Sequence, residues 1–536
     1  VNGVPVFAKG GNWIPADIFP TRVTREKYRH LLESVRAANM NMVRVWGGGI
    51  YEQDDFYELC DELGLLVWQD FMFACSMYPG DKEFLENVRR EAVDNVRRLR
   101  KYPSVVLWCG NNEVETAWHH WGWKQNLPAK LWDDYLKIFH DVLPRVVAEH
   151  DPARPYWPSS PSSNLEDDAD SQRIGDVHYW EVWHASKPFE FYERQFPRFM
   201  SEYGFQSFPL IETVNTYTIP SDHDIQSPVM LAHQKHPRGN QLVREYMLRE
   251  YPEPKDFASF LYVSQVLQAE GMRVGTEHFR RIRPRNMGAL YWQVNDCWPV
   301  ASWSGMDYFG RWKALHHYAR RFFRDILVSP HEQDGRINIH LVSDRTTRTP
   351  AELRVTLLDF TGRVLFDKRE DVNVEPLSSA VRLSLTKSEL LKGQDPRSVF
   401  LNCELTEKGA TTQRNAATES DAATTGNRLF FVPFKELRLA TPEIVTNVEP
   451  HGRAFRIRLR ARTLARGVHL SAGTTDGSFS DNFFDLLPGR EVTVEFRPRR
   501  AATLAALRRD LKVCSLADAF RKETASASSG PSNSFP

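Results

Sequence analysis

The chain has 536 residues, with 69 Lys plus Arg balanced by 69 Asp plus Glu and 12% aromatic residues. That length exceeds one ordinary domain, so several cores are expected. Zero formal net charge leaves no global basic field for nucleic acid, and no apolar run approaches the roughly 18–20 residues of a membrane span.

The sequence starts at Val1 with neither initiator Met nor signal segment, which reads as a start inside a longer polypeptide. A first strand is expected near Pro5–Lys9. A helix follows with Thr24 as N-cap and Tyr28, Leu31, Leu32 and Val35 on one face. Strand two is Met42–Trp46, running into Gly47–Gly49 as a tight strand-end loop. The next helix carries Phe56, Leu59, Cys60 and Leu63 and stops at Gly64. Strand three is Leu65–Gln69, ending at Asp70. A long helix spans about Asp81 to Arg100, and strand four is Val105–Cys109.

Later strand candidates are Pro155–Trp157, Asp176–Tyr179, Arg198–Ser201 and Gly288–Val294. Eight short strands alternating with helices predict a (β/α)8 TIM barrel over 1–326, with an open doubly wound sheet as the alternative. Phe208–Pro254 reads as its largest insertion, ahead of a helix near Phe257–Gly271.

After Phe323 the pattern becomes all-β. Arg336–Val342, Glu352–Leu358, Val399–Leu405 and Leu429–Val432 predict an immunoglobulin-like β-sandwich over 327–437, with Glu407–Gly426 as an exposed hairpin loop. Phe455–Leu459 and Glu491–Phe496 predict a second β-sandwich over 438–516. The last segment, 517–536, is Ser/Pro/Gly-rich from Ala525 onward and is expected to be disordered.

Two carboxylates stand out. Glu113 follows strand four in VVLWCGNNE, and Glu202 lies in RFMSEYG at strand seven. In a barrel these strands face each other across the mouth, and a convergent carboxylate pair is what glycosidic-bond hydrolysis requires. Taken singly, each has a bland reading: Glu113 as a helix-start residue favoured by the macrodipole, Glu202 as a salt-bridged structural residue. Glu115 competes with Glu113 but is expected to turn into the following loop. Trp46, Trp180, Trp292, Trp298 and Trp303 fall at or just past strand ends, where indole faces suit sugar rings. Asp70 and Asp296 read as hydrogen-bond supports.

His119-His120 and His178-Tyr179 lack a third ligand at metal spacing, and the six cysteines are scattered without a CxxC, so they read as free thiols. There is no Walker loop, no dinucleotide fingerprint and no GxSxG elbow. No metal and no cofactor is therefore predicted.

With these residues in hand, the chain resembles the β-mannosidases of glycoside hydrolase family 2. The matching segments are GGNWIPAD (Gly10–Asp17), VRVWGGGIYE (Val43–Glu52), WQDFMFAC (Trp68–Cys75), WCGNNE (Trp108–Glu113), SEYGFQS (Ser201–Ser207), QVNDCWPVASWS (Gln293–Ser304) and DNFFDLLPG (Asp481–Gly489). The resemblance implies Glu113 as acid/base and Glu202 as nucleophile of a retaining double displacement. It implies Asn112 against the sugar 2-hydroxyl, Trp46 as a subsite wall, and Trp121, Trp180 and Trp298 as further contacts. The implied partners are β-mannosides and manno-oligosaccharides, with no nucleic acid, membrane or cofactor. Rival readings are another family 2 exo-enzyme (a β-galactosidase, β-glucuronidase or β-glucosaminidase) and a non-catalytic sugar-binding barrel. Members of the family usually carry a jelly-roll and an immunoglobulin-like domain ahead of the barrel, and neither is in this sequence. The absence of any Asn-x-Ser/Thr sequon leans towards a bacterial enzyme, with cytoplasm and periplasm both open.

Overall fold

The computed structural model describes residues 1–409 and 424–520. Eight parallel strands form one curled sheet: β1 (Ala8–Trp13), β2 (Met42–Val45), β3 (Leu66–Asp70), β4 (Val105–Cys109), β5 (Tyr156–Trp157), β6 (Val177–Tyr179), β7 (Met200–Tyr203) and β8 (Gly288–Tyr291). Their order is β5-β4-β3-β2-β1-β8-β7-β6, the order of a (β/α)8 barrel rather than of a doubly wound sheet. Among the described residues no backbone ladder joins β5 to β6. Side chains bridge that seam instead, with Ser160 Oγ donating to Asp176 Oδ2 at 2.6 Å and Ser162 N to Asp176 Oδ1 at 3.2 Å.

Strand one lies further along the chain than expected. Gly10 and Gly11 continue β1 instead of ending it, because the neighbouring strands pass too close for a side chain: a Cβ on Gly10 would stand 1.8 Å from the Met42 carbonyl oxygen. Strand eight is shorter than expected, ending at Tyr291 before the chain turns into the mouth.

The helices follow their local signals. In α1 (Arg25–Ala37), Thr24 Oγ1 accepts the Lys27 amide, and Tyr28, Leu31, Leu32 and Val35 are buried. Helix α2 (Asp54–Leu63) ends on Gly64 at φ +69, a left-handed cap that glycine adopts without Cβ strain. Asp81 caps α3 (Lys82–Leu99), whose Val88, Ala92, Val96 and Leu99 face the barrel. The insertion carries helical segments of its own, Ile211–Val214, Pro228–Ala232 and Gly239–Glu250. Phe257–Arg281 is a single helix buried along most of its length. No helix among the described residues is long and apolar enough to cross a membrane.

Two antiparallel sandwiches follow. The first pairs a three-stranded sheet (Ile326–Gln333, Arg336–Ser343, Ser379–Thr386) with a four-stranded one (Thr349–Asp359, Val364–Val374, Val399–Glu407, Thr424–Phe430) over a core including Ile337, Ile339, Val355 and Leu401. The second is built from Ile444–His451, Ala454–Ala461, Glu491–Pro498 and Gly477–Phe479 on one side and Phe484–Leu486, Ala465–Ser471 and Lys512–Cys514 on the other. Of the anticipated hairpin loop, residues 410–423 lie outside the described residues, as do residues 521–536 of the anticipated tail. Residues 517–519 are not tail: they belong to the helical turn Leu516–Ala519, where Leu516 and Ala519 are buried. Ionic contacts pin the sandwiches to the barrel, including Lys9–Asp344 (3.0 Å), Arg283–Asp344 (2.6 Å) and Arg321–Asp481 (2.8 Å). All six cysteines are free thiols.

Candidate active site

The strand C-termini of the barrel surround a cavity of about 470 Å³ lined by Trp46, Cys75, Asn112, Glu113, Thr116, His120, Trp121, Asp170, His178, Trp180, His184, Glu202, Trp292 and Trp303. Glu113 reaches it through a local device. Asn111 Oδ1 accepts the Val114 amide at 3.0 Å, capping helix α4 (Val114–His120) and freeing the Glu113 side chain from that task. Glu113 itself sits at φ +61 and Cys75 at φ +45. Left-handed non-glycine residues each cost about 1–3 kcal/mol and persist where the surroundings over-determine them.

Glu113 Oε1 lies 2.8 Å from His178 Nδ1, and Oε2 accepts the Cys75 thiol at 3.5 Å. Glu202, near the end of β7, takes a 2.6 Å hydrogen bond from Arg44 Nη1, and its Oε2 is 3.5 Å from the same His178 Nδ1. One oxygen of each glutamate and a His178 ring nitrogen lie within 4.8 Å of one another. Burial raises both carboxyls above their ordinary value, opposed at Glu113 by the Cys75 thiol and at both by Arg44. Burial also lowers His178 to about 4.

Arg44 is the centre of the floor. Fully buried on β2, it donates to Asn12 Oδ1 (2.9 Å), Asn112 Oδ1 (2.9 Å), Asp70 Oδ2 (2.8 Å) and Glu202. Burial opposes its charge, but Asp70 and Glu202 outweigh burial and hold its pKa above the ordinary value. Asp70 is in turn fixed by Trp68 Nε1 (2.8 Å) and the Gly47 amide (3.0 Å). Asp296 accepts Ser302 Oγ (2.8 Å), Ser304 Oγ (2.6 Å) and Lys235 Nζ (3.1 Å), tying down the loop after β8. Both aspartates are therefore supports.

Of the residues singled out, Glu113, Glu202, Asn112, Trp46, Trp121 and Trp180 meet at this cavity. Trp298 does not line it: its ring packs on His233 with centroids 4.9 Å apart, because the chain has already turned away by Pro299. Glu115 is not in a loop. It lies in the first turn of α4, buried behind the wall, accepts Ser162 Oγ at 2.6 Å and Tyr135 OH at 3.1 Å, and is pushed up to about 6 by burial. His178 does have two acidic neighbours, but the guanidinium 2.6 Å from Glu202 already supplies the positive charge that a metal would bring. Arg44 was missed, although an arginine inside the apolar run MVRV is a signal, since such residues are buried only when paired. Cys75, His120 and Asp170 carried none; burial pushes Asp170 up to about 7, with Glu113 and Asp168 adding to it.

Two carboxylates converging at the C-terminal mouth of an eight-stranded parallel barrel form the kind of pair that glycosidic-bond hydrolysis uses. Comparison with known proteins points the same way. A goat (Capra hircus) β-mannosidase is 36% identical over 549 residues, covering 97% of this chain and 61% of the relative. A β-mannosidase B from Aspergillus fumigatus is 39% identical over 341 residues, 61% of this chain and 40% of the relative. The crystal structure of a β-D-mannosidase from Dictyoglomus thermophilum superposes with a TM-score of 0.87 at 36% identity, covering 96% of this chain and 60% of that one. The exo-chitosanase of Amycolatopsis orientalis, at 16% identity and a TM-score of 0.71 over 96% of this chain and 63% of its own, shares the fold. Residues 335–436 match the mannosidase Ig/CBM-like domain and residues 439–519 an Ig-fold domain of mannosidases. Over nearly its whole length the chain is similar to β-mannosidases, and it spans about three fifths of the length of the curated relatives it matches.

Proposed function

We propose that the protein is an exo-acting retaining β-mannosidase, removing terminal β-D-mannose from the non-reducing ends of manno-oligosaccharides, with Glu202 as nucleophile and Glu113 as acid/base. One observation carries the mechanism: an oxygen of each carboxyl lies within 4.8 Å of the other. Retaining pairs stand about 5–5.5 Å apart, whereas inverting pairs need about 6.5–9.5 Å to admit a water.

In the first step a Glu202 oxygen attacks the anomeric carbon and the glycosidic C–O bond breaks. The Glu113 proton goes to the departing oxygen. Arg44 keeps Glu202 ionised and aimed, and Asn112, whose Oδ1 is held by Arg44 and whose Nδ2 meets Cys75 Sγ at 3.4 Å, lines the cavity. In the second step a water gives its proton to Glu113 and its oxygen to the anomeric carbon, releasing Glu202. The exposed Trp121 at the rim and the inner Trp46 and Trp292 suit the apolar faces of the sugar and its neighbour. Similarity to β-mannosidases at 36% identity over nearly the whole chain supports mannose over the other family 2 sugars.

The test is initial rates on aryl β-mannoside, galactoside, glucuronide and glucosaminide, with the released sugar followed by NMR. Preference for the mannoside and β-mannose as the first anomer are expected. Release of α-mannose would overturn retention, and preference for another sugar would overturn the substrate.

A further inference from the structure

His178 belongs to a hydrogen-bonded chain that runs from the cavity into the seam between β5 and β6, and proton counting along it has one outcome. Its far end is Asp176, buried, where Oδ2 accepts both Ser160 Oγ (2.6 Å) and Ser201 Oγ (2.5 Å). A serine hydroxyl has one proton to donate, and at Ser160 the carboxylate takes it, as the charged and nearer acceptor. His178 Nε2 stands 3.0 Å from that same Ser160 oxygen. With the serine proton committed, this contact is a hydrogen bond only if Nε2 carries a hydrogen and donates it. A neutral imidazole then has a bare Nδ1, and it is Nδ1 that meets Glu113 Oε1 at 2.8 Å. Two lone pairs do not approach that closely without a proton between them.

We infer that Asp176, Ser160 and His178 form a positioning relay that fixes the His178 tautomer and thereby holds the proton of the resting site on Glu113 Oε1. The burial that disfavours both an imidazolium and an ionised Glu113 agrees with this neutral pair. Glu202 Oε2, at 3.5 Å, is beyond a good hydrogen bond to Nδ1 and has its charge met by Arg44. The other groups facing Glu113 are Cys75, which donates its thiol proton to Oε2, Arg44 and Asn112 on the floor, and His184 and Asp170 across the cavity. None of them offers Oε1 an acceptor. Once Glu113 has given its proton to the leaving oxygen, the carboxylate faces a lone pair, which favours recovery of a proton from the incoming water.

The catalytic consequence rests on the reading of Glu113 as acid/base; the position of the proton does not. The primary measurement is the 15N NMR of the His178 ring in the substrate-free protein, assigned with His178→Asn. Nε2–H is expected at neutral pH, and Nδ1–H would overturn the relay. The second is the infrared signal of the Glu113 carboxyl against pH, assigned with Glu113→Gln. Ser160→Ala, which keeps the backbone carbonyl that accepts the Glu113 amide at 2.8 Å, frees the ring to carry its proton on Nδ1 and is expected to weaken the Glu113 protonation constant at least tenfold. His178→Asn, whose Oδ1 replaces Nδ1 as acceptor, is expected to retain most of it. An unchanged or strengthened constant in Ser160→Ala would overturn the inference. Absence of mannosidase activity in the wild type would sink the functional reading alone.

Discussion

Arg44 and Glu202 form the innermost ion pair of the barrel mouth: 2.6 Å apart, with the arginine fully buried and the glutamate almost so. The guanidinium also serves Asp70, Asn12 and Asn112, making with Glu202 four groups that a single ammonium cannot reach in that planar arrangement. Arg44→Lys is expected to lower kcat at least a hundredfold and to lower the unfolding temperature, since breaking a buried pair costs about 3–5 kcal/mol. The acid limb of the pH profile should also move up, because a single ammonium cannot hold the 2.6 Å contact to Glu202 and the 2.8 Å contact to Asp70 together. Thermal unfolding and pH–rate profiles on an aryl β-mannoside check both.

The pH dependence follows from the two raised carboxyls. Glu202 must be ionised to attack, so activity falls as pH drops through its raised pKa; Glu113 must be protonated, so activity falls as pH rises through its own. The kcat/KM profile is therefore expected to be bell-shaped, with its acid limb above the ordinary glutamate value of about 4.3. The two limbs belong to the coupled pair rather than to either residue alone. A flat profile between about pH 4 and 8 would contradict the assignment.

Removing the carboxylates separates their roles. Glu202→Ala is expected to lower kcat at least a thousandfold, about 4 kcal/mol of barrier, while leaving the fold and sugar binding in place. Glu113→Ala should spare substrates whose leaving group needs no protonation, and added azide should restore turnover by replacing the water step. Steady-state rates on dinitrophenyl and nitrophenyl mannosides distinguish the two. Full activity in Glu202→Ala would end the nucleophile assignment.

The barrel was legible because its strands are short apolar runs ending in polar residues, and Glu113 and Glu202 are placed by strand position alone. The support was legible only in part. Asp70 announced itself at a strand end, but Arg44 looked like one charge in a strand, and its four partners come from β1, β3, the loop after β4, and β7. The link from Asp176 through Ser160 to His178 closes a seam that has no backbone ladder, so periodicity carried no trace of it. Trp298 lies outside the cavity lining for a related reason. Distance past a strand end says nothing about which way the following loop turns.

The tryptophans give a paired test. Trp46 lines the cavity edge-on to Trp292 at 5.0 Å, and its ring lies across Gly48, where a Cβ would come within 2.0 Å of the indole. Trp46→Ala is expected to lower kcat/KM about tenfold to a hundredfold, the loss of about 1.4–3 kcal/mol of buried aromatic contact. Gly48→Ala should produce a similar loss by displacing the ring. Trp298→Ala, outside the cavity, should change kcat/KM by less than about threefold while lowering the unfolding temperature.

Cys75 supplies a prediction that needs no substrate. Cys75 is exposed at the cavity by surface area, yet desolvation by the cavity walls pushes its thiol up to about 12. Alkylation requires the thiolate, so Cys75 is expected to react with iodoacetamide far more slowly than an ordinary exposed cysteine at pH 8. With Glu113 protonated in the resting site, Glu113→Gln removes little charge and should leave that rate close to the wild-type value. Cys75→Ala removes a donor that favours the ionised form of Glu113, so the basic limb of the activity profile should move to higher pH. Mass-spectrometric labelling rates and pH profiles of the three proteins check these outcomes; a rapidly alkylated Cys75, or a basic limb that moves down in Cys75→Ala, would show that the thiol does not donate to Glu113.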